Sequence, residues 1–300
     1  MKYAVVVRTA VLVLCGAITV GRARADEPRL PPAVVLEQQP GDAQATKIVF
    51  VAGSNYFKPG QHEYIGGCAA LMDLARQTRG VFPVLALDWP KDPQTFAGAK
   101  TVVFFFDGGE KHPLRDPAKR AEVQKLADAG VGLVGFHQFV DVPKELGDTM
   151  RGMMGAAFEK DYSRRAHWIA EFKSFPSHEI CRGVERFEID DGWLYRLRFV
   201  AGMQGIAPLV HAPSPKPNSG QASETDTIVS WAFERPQGGR SFTFTGAHLH
   251  ASLAQEGYRR LLTNGILWTA GLEIPETGAP VELAPGRLDS YLSPPATPES

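Results

Sequence analysis

Short apolar runs alternate with amphipathic segments along the first half of the chain. Residues 47–52 (KIVFVA), 100–106 (KTVVFFF) and 131–136 (VGLVGF) are apolar at almost every position, as in strands buried on both faces. Residues 117–130 instead space their apolar positions as one helix face does, and they end in glycine. This alternation predicts an α/β fold with a parallel sheet and right-handed crossovers.

The pattern changes after Met154. Strand-like segments then follow one another closely, which predicts extra, partly antiparallel strands. They cover residues 168–172, 186–189, 194–200, 206–210, 227–233 and 241–245. A helix with an apolar face around residues 258–266 closes the pattern. We therefore expect one domain over residues 47–271.

Both ends of the chain differ from this core. Residues 1–25 combine a basic start, an apolar run at 9–21 and the small-x-small pattern Ala23-Arg24-Ala25, which predicts a signal peptide and a periplasmic or secreted protein. The alternative is an uncleaved anchor, although the run is shorter than the ~20 residues of a spanning helix. Residues 26–46 are expected to form a flexible N-terminal arm, and residues 272–300 a Pro-rich surface tail.

Composition and charge narrow the class of protein. The chain has 300 residues, 44% hydrophobic and 22% charged, which is typical of a globular protein and excludes a collagen, a coiled coil or a disordered chain. Loss of residues 1–25 would remove four cationic residues and no acid, so the net charge of −1 would become −5. Such a chain is a poor nucleic-acid binder. Cys68 and Cys181 remain, either bridged or as separate buried thiols, and the oligomeric state stays open.

Polar side chains cluster directly after the predicted strands. Ligands bind open α/β sheets at the carboxyl ends of the strands, so these positions are candidates for a shared site. Five of the eight histidines follow four strands in this way, together with two acidic residues. The set comprises His62, Glu63, Asp107, His112, His137, His248 and His250. A single histidine after a strand is more often a hydrogen-bonded loop residue, so the prediction depends on their convergence.

His137 occupies a distinctive position. It follows a strand and precedes an expected helix, the place where a nucleophile elbow carries its serine or cysteine. No GxSxG motif is present, and neither remaining cysteine follows a strand in this manner. Acyl-enzyme chemistry is therefore disfavoured, whereas a histidine here can act as a base, an acid or a metal ligand.

In this order and spacing, several segments resemble the ThuA-like (trehalose utilisation) family. They are KIVFVAGSNYFKPGQHEY, VVFFFDGGEKHP, GVGLVGFH, HWIAEF, SHEICRGVERFEIDDGWLYRLRF and TGAHLHASL with YRRLLTNGILWTAG. The resemblance covers most of residues 47–271. It implies a flavodoxin-like, class I glutamine amidotransferase-like three-layer sandwich with a mainly parallel sheet plus antiparallel strands. It also implies that His137 stands where the amidotransferases carry cysteine, so glutamine amidotransferase activity is not expected.

The resemblance assigns roles to further residues. His167 and Trp168 match the family's H-W pair, and Asp191, Trp193 and Tyr195 match a D-E-W-Y-like segment from which Gly192 and Leu194 depart. Our expected catalytic set is His137, His248, Asp107, His167 and Asp191. The expected metal-binding set is His62, Glu63, His112 and His250, and Trp168, Trp193 and Tyr195 either stack on a sugar or belong to the core.

The resemblance implies the handling of a sugar or glycoside, including an oxidised (keto) sugar. Our first hypothesis is therefore an exported enzyme that acts on a carbohydrate. A histidine or carboxylate can remove the proton beside a ketone, and a divalent metal such as zinc suits a site of histidines and carboxylates. No HExxH-type motif fixes the metal ligands, and no nucleotide cofactor is expected. Two alternatives stay open: a carbohydrate-binding module without turnover, and a partner-docking domain in which the loop histidines do not converge.

Overall fold

The structure is a computed structural model and describes residues 34–54, 57–215 and 223–293. The predicted signal peptide, the first part of the arm and residues 294–300 lie outside this part of the chain. Cleavage and export therefore stay predictions. Among the described residues, no helix combines the length and the apolar character needed to cross a membrane.

A seven-stranded sheet lies at the centre. Its strands are β1 (Thr46–Ala52), β2 (Val81–Leu87), β3 (Thr101–Phe105), β4 (Gly132–Phe136), β9 (Ile206–His211), β10 (Ile228–Glu234) and β11 (Arg240–Phe244). They lie in the order β2-β1-β3-β4-β11-β10-β9. Neighbours are parallel from β2 to β11, and β10 is antiparallel to both β11 and β9. The predicted mainly parallel sheet is confirmed, and the carboxyl ends of β1, β3, β4 and β11 meet at one edge.

Helices cover both faces of this sheet. They are α1 (Tyr64–Ala75), α2 (Pro117–Asp128), α3 (Gly147–Met154) and α4 (Glu256–Thr269). Successive strand residues point to opposite faces, so Phe50 packs in one core with α1 and α4, whereas Val51 packs in a second core with α2 and α3. The molecule is thus a three-layer sandwich. The start of α2 shows how the sequence sets its boundaries, because Asp116 caps the amide of Ala118 and Pro117 occupies the first helical position.

The additional strands form two small antiparallel pairs, β5 (Ala156–Ala157) with β8 (Arg198–Phe199), and β6 (Arg164–Phe172) with β7 (Phe187–Tyr195). The sequence predicted two separate segments at 186–189 and 194–200. In the structure, β7 instead runs from the first segment through the polar stretch to Tyr195, and buried Asp191 continues the alternation of buried and exposed side chains there, whereas residues 198–199 form β8. One face of the β6–β7 hairpin packs into the core that contains α1 and α4.

The C-terminal segment corrects one expectation. Residues 272–293 do not lie loosely on the surface, because Ile274, Ala279, Val281 and Tyr291 are almost fully buried against the domain. Their spacing is irregular, so no helix or strand period in the sequence revealed them. At the other end, the described part of the arm lies along the outer edge of β2, where the amide of Leu85 donates to the carbonyl of Val35.

Cys68 and Cys181 are both buried and unbridged, so of the two alternatives the structure has the separate thiols. Burial raises the pKa of Cys181 to about 12 and also raises that of Cys68. Both thiols are therefore protonated at neutral pH, as expected for core side chains.

Candidate functional site

Three histidines meet at the carboxyl edge of the parallel sheet. His62 precedes α1 in the loop after β1, His137 directly follows β4, and His248 follows β11. Their ring centroids lie 4.9 Å (His62 to His137), 4.3 Å (His62 to His248) and 5.6 Å (His137 to His248) apart. One nitrogen of each ring lies within 4.8 Å of the other two. We call this group the histidine cluster.

His137 occupies a strained turn. The strand β4 ends at Phe136, and a 3-10 helix begins at His137, whose φ of 51° is in the left-handed region. Non-glycine residues seldom adopt this conformation, and it concentrates at functional sites. The turn presents the side chain at the sheet edge, where Nδ1 lies 3.0 Å from the carbonyl oxygen of Thr245. Since Nδ1 donates its hydrogen there, Nε2 keeps a lone pair.

His62 is fixed in a similar way. Its φ is 49°, and its backbone amide donates to the carbonyl of His248 at 2.8 Å, which ties the two loops together. Its Nδ1 lies 3.0 Å from the hydroxyl of Tyr64, which donates in turn to Oε1 of Gln138. The His62 ring therefore donates from Nδ1 and keeps its lone pair on Nε2. Phe57 stacks on this ring with centroids 3.9 Å apart.

Asp191 anchors the loop that carries His248. Its carboxylate accepts hydrogen bonds from the amides of Ala247, His248 and Leu249 and from the hydroxyl of Ser252. We expected Asp191 to be catalytic. In the structure this side chain is fully buried and its oxygens are used by the loop, an arrangement that favours a positioning role. Burial raises its pKa to about 6, against the effect of the amide donors.

Burial and proximity to one another favour the neutral form of the three imidazole rings in the histidine cluster. Burial lowers the pKa of His62 and of His137 to about 3, and each is lowered further by the neighbouring histidines. Burial also lowers the pKa of His248. Neutral imidazole with a free lone pair is the form that binds transition metals, and metal-bound histidines commonly donate their other nitrogen to a carbonyl or another acceptor.

A histidine–aspartate pair lies beside the cluster at its exposed side. His167, on β6, has its ring centroid 5.8 Å from that of His248, and its Nε2 lies 2.9 Å from Oδ1 of Asp190 on β7. Both side chains are about half exposed. Of the expected catalytic residues, His167 is therefore accessible and adjacent to the cluster. Its partner is Asp190, which the sequence did not single out.

A band of charged residues lies next to His137. Arg165 donates to Asp141 at 2.7 Å, and its charge contributes to the lowered pKa of His137. Asp107, also expected to be catalytic, accepts from the amide of Gly108 and lies 3.6 Å from the ammonium of Lys111. Asp107 is thus part of the loop beside Asp141 and is not a member of the histidine cluster.

Three expected metal ligands lie outside the cluster. His112 uses both ring nitrogens, because Nδ1 accepts from the amide of Leu114 and Nε2 donates to the carbonyl of Phe139. The carboxylate of Glu63 accepts from backbone and hydroxyl groups, and Nε2 of His250 lies 3.2 Å from the carbonyl of Leu288. These side chains point into the protein, which their position after a strand did not indicate.

Of the two alternatives for Trp168 and Trp193, sugar stacking or the core, the structure has the core. Trp193 is fully buried and donates from Nε1 to the carbonyl of Trp168. Trp168 is 8% exposed and packs between Trp193 and Tyr195. Every second residue of each strand of the hairpin faces the core, and several of these residues are aromatic because large side chains fill the space beneath. Among the three, Tyr195 is the one that is only partly buried.

Sequence reasoning missed several residues beside the cluster. They are Phe57, Tyr64, Gln138, Asp141, Arg165 and Asp190. A usable signal existed for two of them, since Gln138 adjoins His137 and Arg165 precedes His167 by one strand period. Asp190 and Asp191 differ only in the face of β7 to which they point, and the register with β6 decides that face.

The strand order, the three layers and the strained turn after β4 define a flavodoxin-like, class I glutamine amidotransferase-like α/β protein. The family model for ThuA, described as trehalose utilisation, matches residues 48–269, and the chain belongs to this family.

A solved structure of a ThuA-like protein from Bacteroides uniformis is similar at 12% identity and a TM-score of 0.57. The match covers 81% of this chain and 99% of that one. A glutamine amidotransferase from Thermotoga maritima aligns over 75% of this chain and 98% of its own, at 10% identity and a TM-score of 0.44. No curated protein matches the chain.

Proposed function

We propose that this protein is an exported, metal-dependent enzyme of carbohydrate utilisation that acts on a sugar or glycoside, with a keto sugar as the preferred substrate class. The convergence of His62, His137 and His248 is the observation that supports it. Membership of the trehalose utilisation family supports the sugar. The signal-peptide pattern in residues 1–25 supports export.

The histidine cluster fits a divalent ion such as zinc. Its nitrogens lie within 4.8 Å of one another, the tautomers of His62 and His137 leave Nε2 of each ring with a lone pair, and burial keeps the rings neutral. Three protein ligands with a further open position is the pattern of catalytic zinc sites. When bound, such an ion would polarise a carbonyl oxygen of the substrate or lower the pKa of a bound water molecule.

His167 is the proton-transfer group in this proposal. Its ring is accessible, lies next to His248, and is oriented by the carboxylate of Asp190. A base held in place by a carboxylate is the usual arrangement for general acid–base catalysis. His167 would accept the proton from the carbon beside the sugar ketone, and the electron pair of that C–H bond would form an enolate on the carbonyl oxygen, which a bound divalent ion would stabilise. The carboxylate of Asp190 would stabilise the imidazolium that forms.

Arg165 would bind the same substrate. Its guanidinium is half exposed, is held by Asp141, and lies over the ring of Phe158 at 4.8 Å. A fixed guanidinium presents several N–H donors in one plane, which suits the hydroxyl and carbonyl oxygens of a sugar. The Asp141 carboxylate would thus orient Arg165 much as Asp190 orients His167.

Metal content and proton exchange test the proposal together. Zinc-loaded, dialysed protein is analysed by mass spectrometry for metal, with about one zinc per chain expected from a three-histidine site. His62→Ala and His137→Ala should abolish binding. His211→Ala should not, because His211 bonds to Thr227.

The chemistry is tested with a 3-keto-glucoside in deuterated water. Proton NMR should show loss of the signal beside the ketone, and His167→Gln should stop this exchange while zinc stays bound. Wild-type protein that holds no zinc would refute the metal site, and zinc-loaded protein without exchange would refute the keto-sugar chemistry.

A sugar-binding module without turnover finds less support. It requires exposed aromatic faces, but Trp168 and Trp193 are buried. The partner-docking alternative required the loop histidines to stay apart, and three of the five converge.

A further inference from the structure

The C-terminal segment beyond the family match packs against the loops that carry His62 and His248. The matched region ends at residue 269, whereas the described chain continues to residue 293. Residues 287–293, which we call the C-terminal strap, lie against α1 and against the loop after β11. They contact Glu63, which follows His62, and His250, which lies two residues after His248.

Glu63 links the strap to the His62 loop. This side chain is almost fully buried, and it follows His62 directly. Its Oε1 accepts from the amide of Gly60 at 2.7 Å, at the start of the loop. Its Oε2 accepts from the amide of Ser293 at 3.1 Å and from the hydroxyl of Ser293 at 2.6 Å. One buried carboxylate therefore holds the His62 loop and the strap at once.

A buried carboxylate depends on its donors. If the strap were displaced, Oε2 of Glu63 would lose both donors from Ser293. The loss of donors to a buried acceptor is costly, more so when the acceptor is charged. The side chain would then turn toward water, and Gly60 would lose its acceptor. The conformation of the loop, in which His62 has a φ of 49°, would lose its support.

The strap is anchored beyond Ser293. Tyr291 donates from its hydroxyl to Asp73 at 2.5 Å, and Arg287 donates to the same carboxylate at 2.7 Å. The backbone of the strap passes so close to α1 that a Cβ at Gly66 would overlap the carbonyl oxygen of Tyr291. Tyr291 itself is 1% exposed. These contacts make the strap part of the packed domain.

The two histidine loops are also tied to each other. The amide of His62 donates to the carbonyl of His248, and the amide of His250 donates to the carbonyl of Gly60. The ring of His250 in turn contacts the carbonyl of Leu288 in the strap. Displacement of the strap would therefore disturb both loops through backbone contacts.

We propose that Glu63 and Ser293 are positioning residues, and that the C-terminal strap holds His62 and His248 in the geometry that binds the metal. The metal part of this inference rests on the proposed function. Outer partners of metal ligands typically change metal affinity by about 10–100-fold when removed.

Point variants of the full chain test the inference. Ser293→Ala removes one donor to Glu63, and Ser293→Thr restores the hydroxyl. Gly66→Ala places a methyl group against Tyr291 while favouring the helix, since alanine has the higher helix propensity. The matched control is Ser290→Ala, because the Ser290 hydroxyl donates only to Arg287 within the strap.

Three measurements are made on each variant: cobalt(II) affinity with the visible spectrum, the rate of protease cleavage within the strap, and amide hydrogen exchange at His62 and His250. Ser293→Ala and Gly66→Ala should weaken cobalt(II) binding about 10–100-fold, change the spectrum and speed the exchange. Ser293→Thr and Ser290→Ala should stay close to wild type.

Faster strap cleavage with unchanged cobalt(II) affinity and unchanged His62 exchange would overturn the inference. If wild-type protein binds no cobalt(II) or zinc, the proposed function fails, and hydrogen exchange decides the positioning role by itself. Faster exchange at His62 and His250 in the strap variants would support that role, and unchanged exchange would overturn it.

Discussion

Replacement of Asp191 by asparagine distinguishes a residue that positions the His248 loop from one that reacts with substrate. The two carboxylate oxygens of Asp191 accept from four backbone amides, at Gly192, Ala247, His248 and Leu249, and from one hydroxyl. Asparagine has nearly the same shape, but one of its two terminal groups is a donor. Whichever way the amide is turned, that donor faces at least one backbone N–H.

The least damaging orientation places the asparagine NH₂ where Oδ2 stood. It then faces the amide of Ala247, which loses its acceptor, while Ser252 can rotate its hydroxyl to accept. Hydrogen bonds to a charged group contribute roughly 1.5–3 kcal/mol each, and the backbone N–H that loses its acceptor adds a desolvation cost. We therefore expect Asp191→Asn to lower the free energy of unfolding by about 2–4 kcal/mol.

The assay combines urea denaturation, zinc titration and turnover at a pH of about 8, where the carboxylate is ionised because its pKa is raised only to about 6. Asp190→Asn is the matched control, since it changes the neighbouring, half-exposed residue. It should leave stability within about 0.5 kcal/mol and zinc affinity unchanged, while slowing proton transfer by His167. An Asp191→Asn variant with wild-type stability and zinc affinity but no turnover would refute the positioning role.

Three further results are expected from the packing of the site and core. Gly192→Ala should weaken zinc binding about 10-fold, because its Cβ would lie only 3.0 Å from Cβ and Cγ of His248 and displace the ring. Zinc titration measures this effect, and an unchanged affinity would contradict it. Trp193→Ala should destabilise the fold by about 3–5 kcal/mol in urea denaturation, as expected for a buried core residue, whereas a stable variant with weakened sugar binding would restore the stacking role. Cys68 and Cys181 should both react with a thiol reagent after unfolding without reductant and neither before; failure to label the unfolded chain would indicate a bridge.

The parallel sheet could be predicted from the sequence because short, almost continuous apolar runs between amphipathic segments are typical of buried strands. The runs ending near Ala52, Phe106 and Phe136 became β1, β3 and β4, and the parallel sheet brought the positions after them to one edge. That reasoning places backbone atoms and leaves the direction of each side chain open. His137 and His112 both follow strands, yet His137 reaches the cluster, whereas His112 bonds to backbone groups of Leu114 and Phe139.

Neighbouring residues show the same limit more sharply. Asp190 and Asp191 are adjacent and chemically identical, but one lies beside His167 and the other is buried under the His248 loop. Successive side chains of a strand point to opposite faces. A register error of one position would therefore exchange the two aspartates, one beside His167 and the other under the His248 loop. The packed tail was missed for a different reason: its buried residues satisfy neither a helical nor a strand period, and only the shape of the surface beneath selects them.

The turn after β4 shows how the residue at one position determines which chemistry this edge of the sheet can perform. A residue with positive φ at the end of a central strand projects its side chain over the sheet edge, whatever that side chain is. A cysteine there would supply a nucleophile, whereas His137 supplies a nitrogen lone pair and cannot form an acyl-thioester. One nitrogen ligand binds a metal weakly, so the proposed metal site requires further ligands at the same point. The loops after β1 and β11 meet this requirement, because Asp191 and Glu63 hold them from either side and place His248 and His62 against the turn.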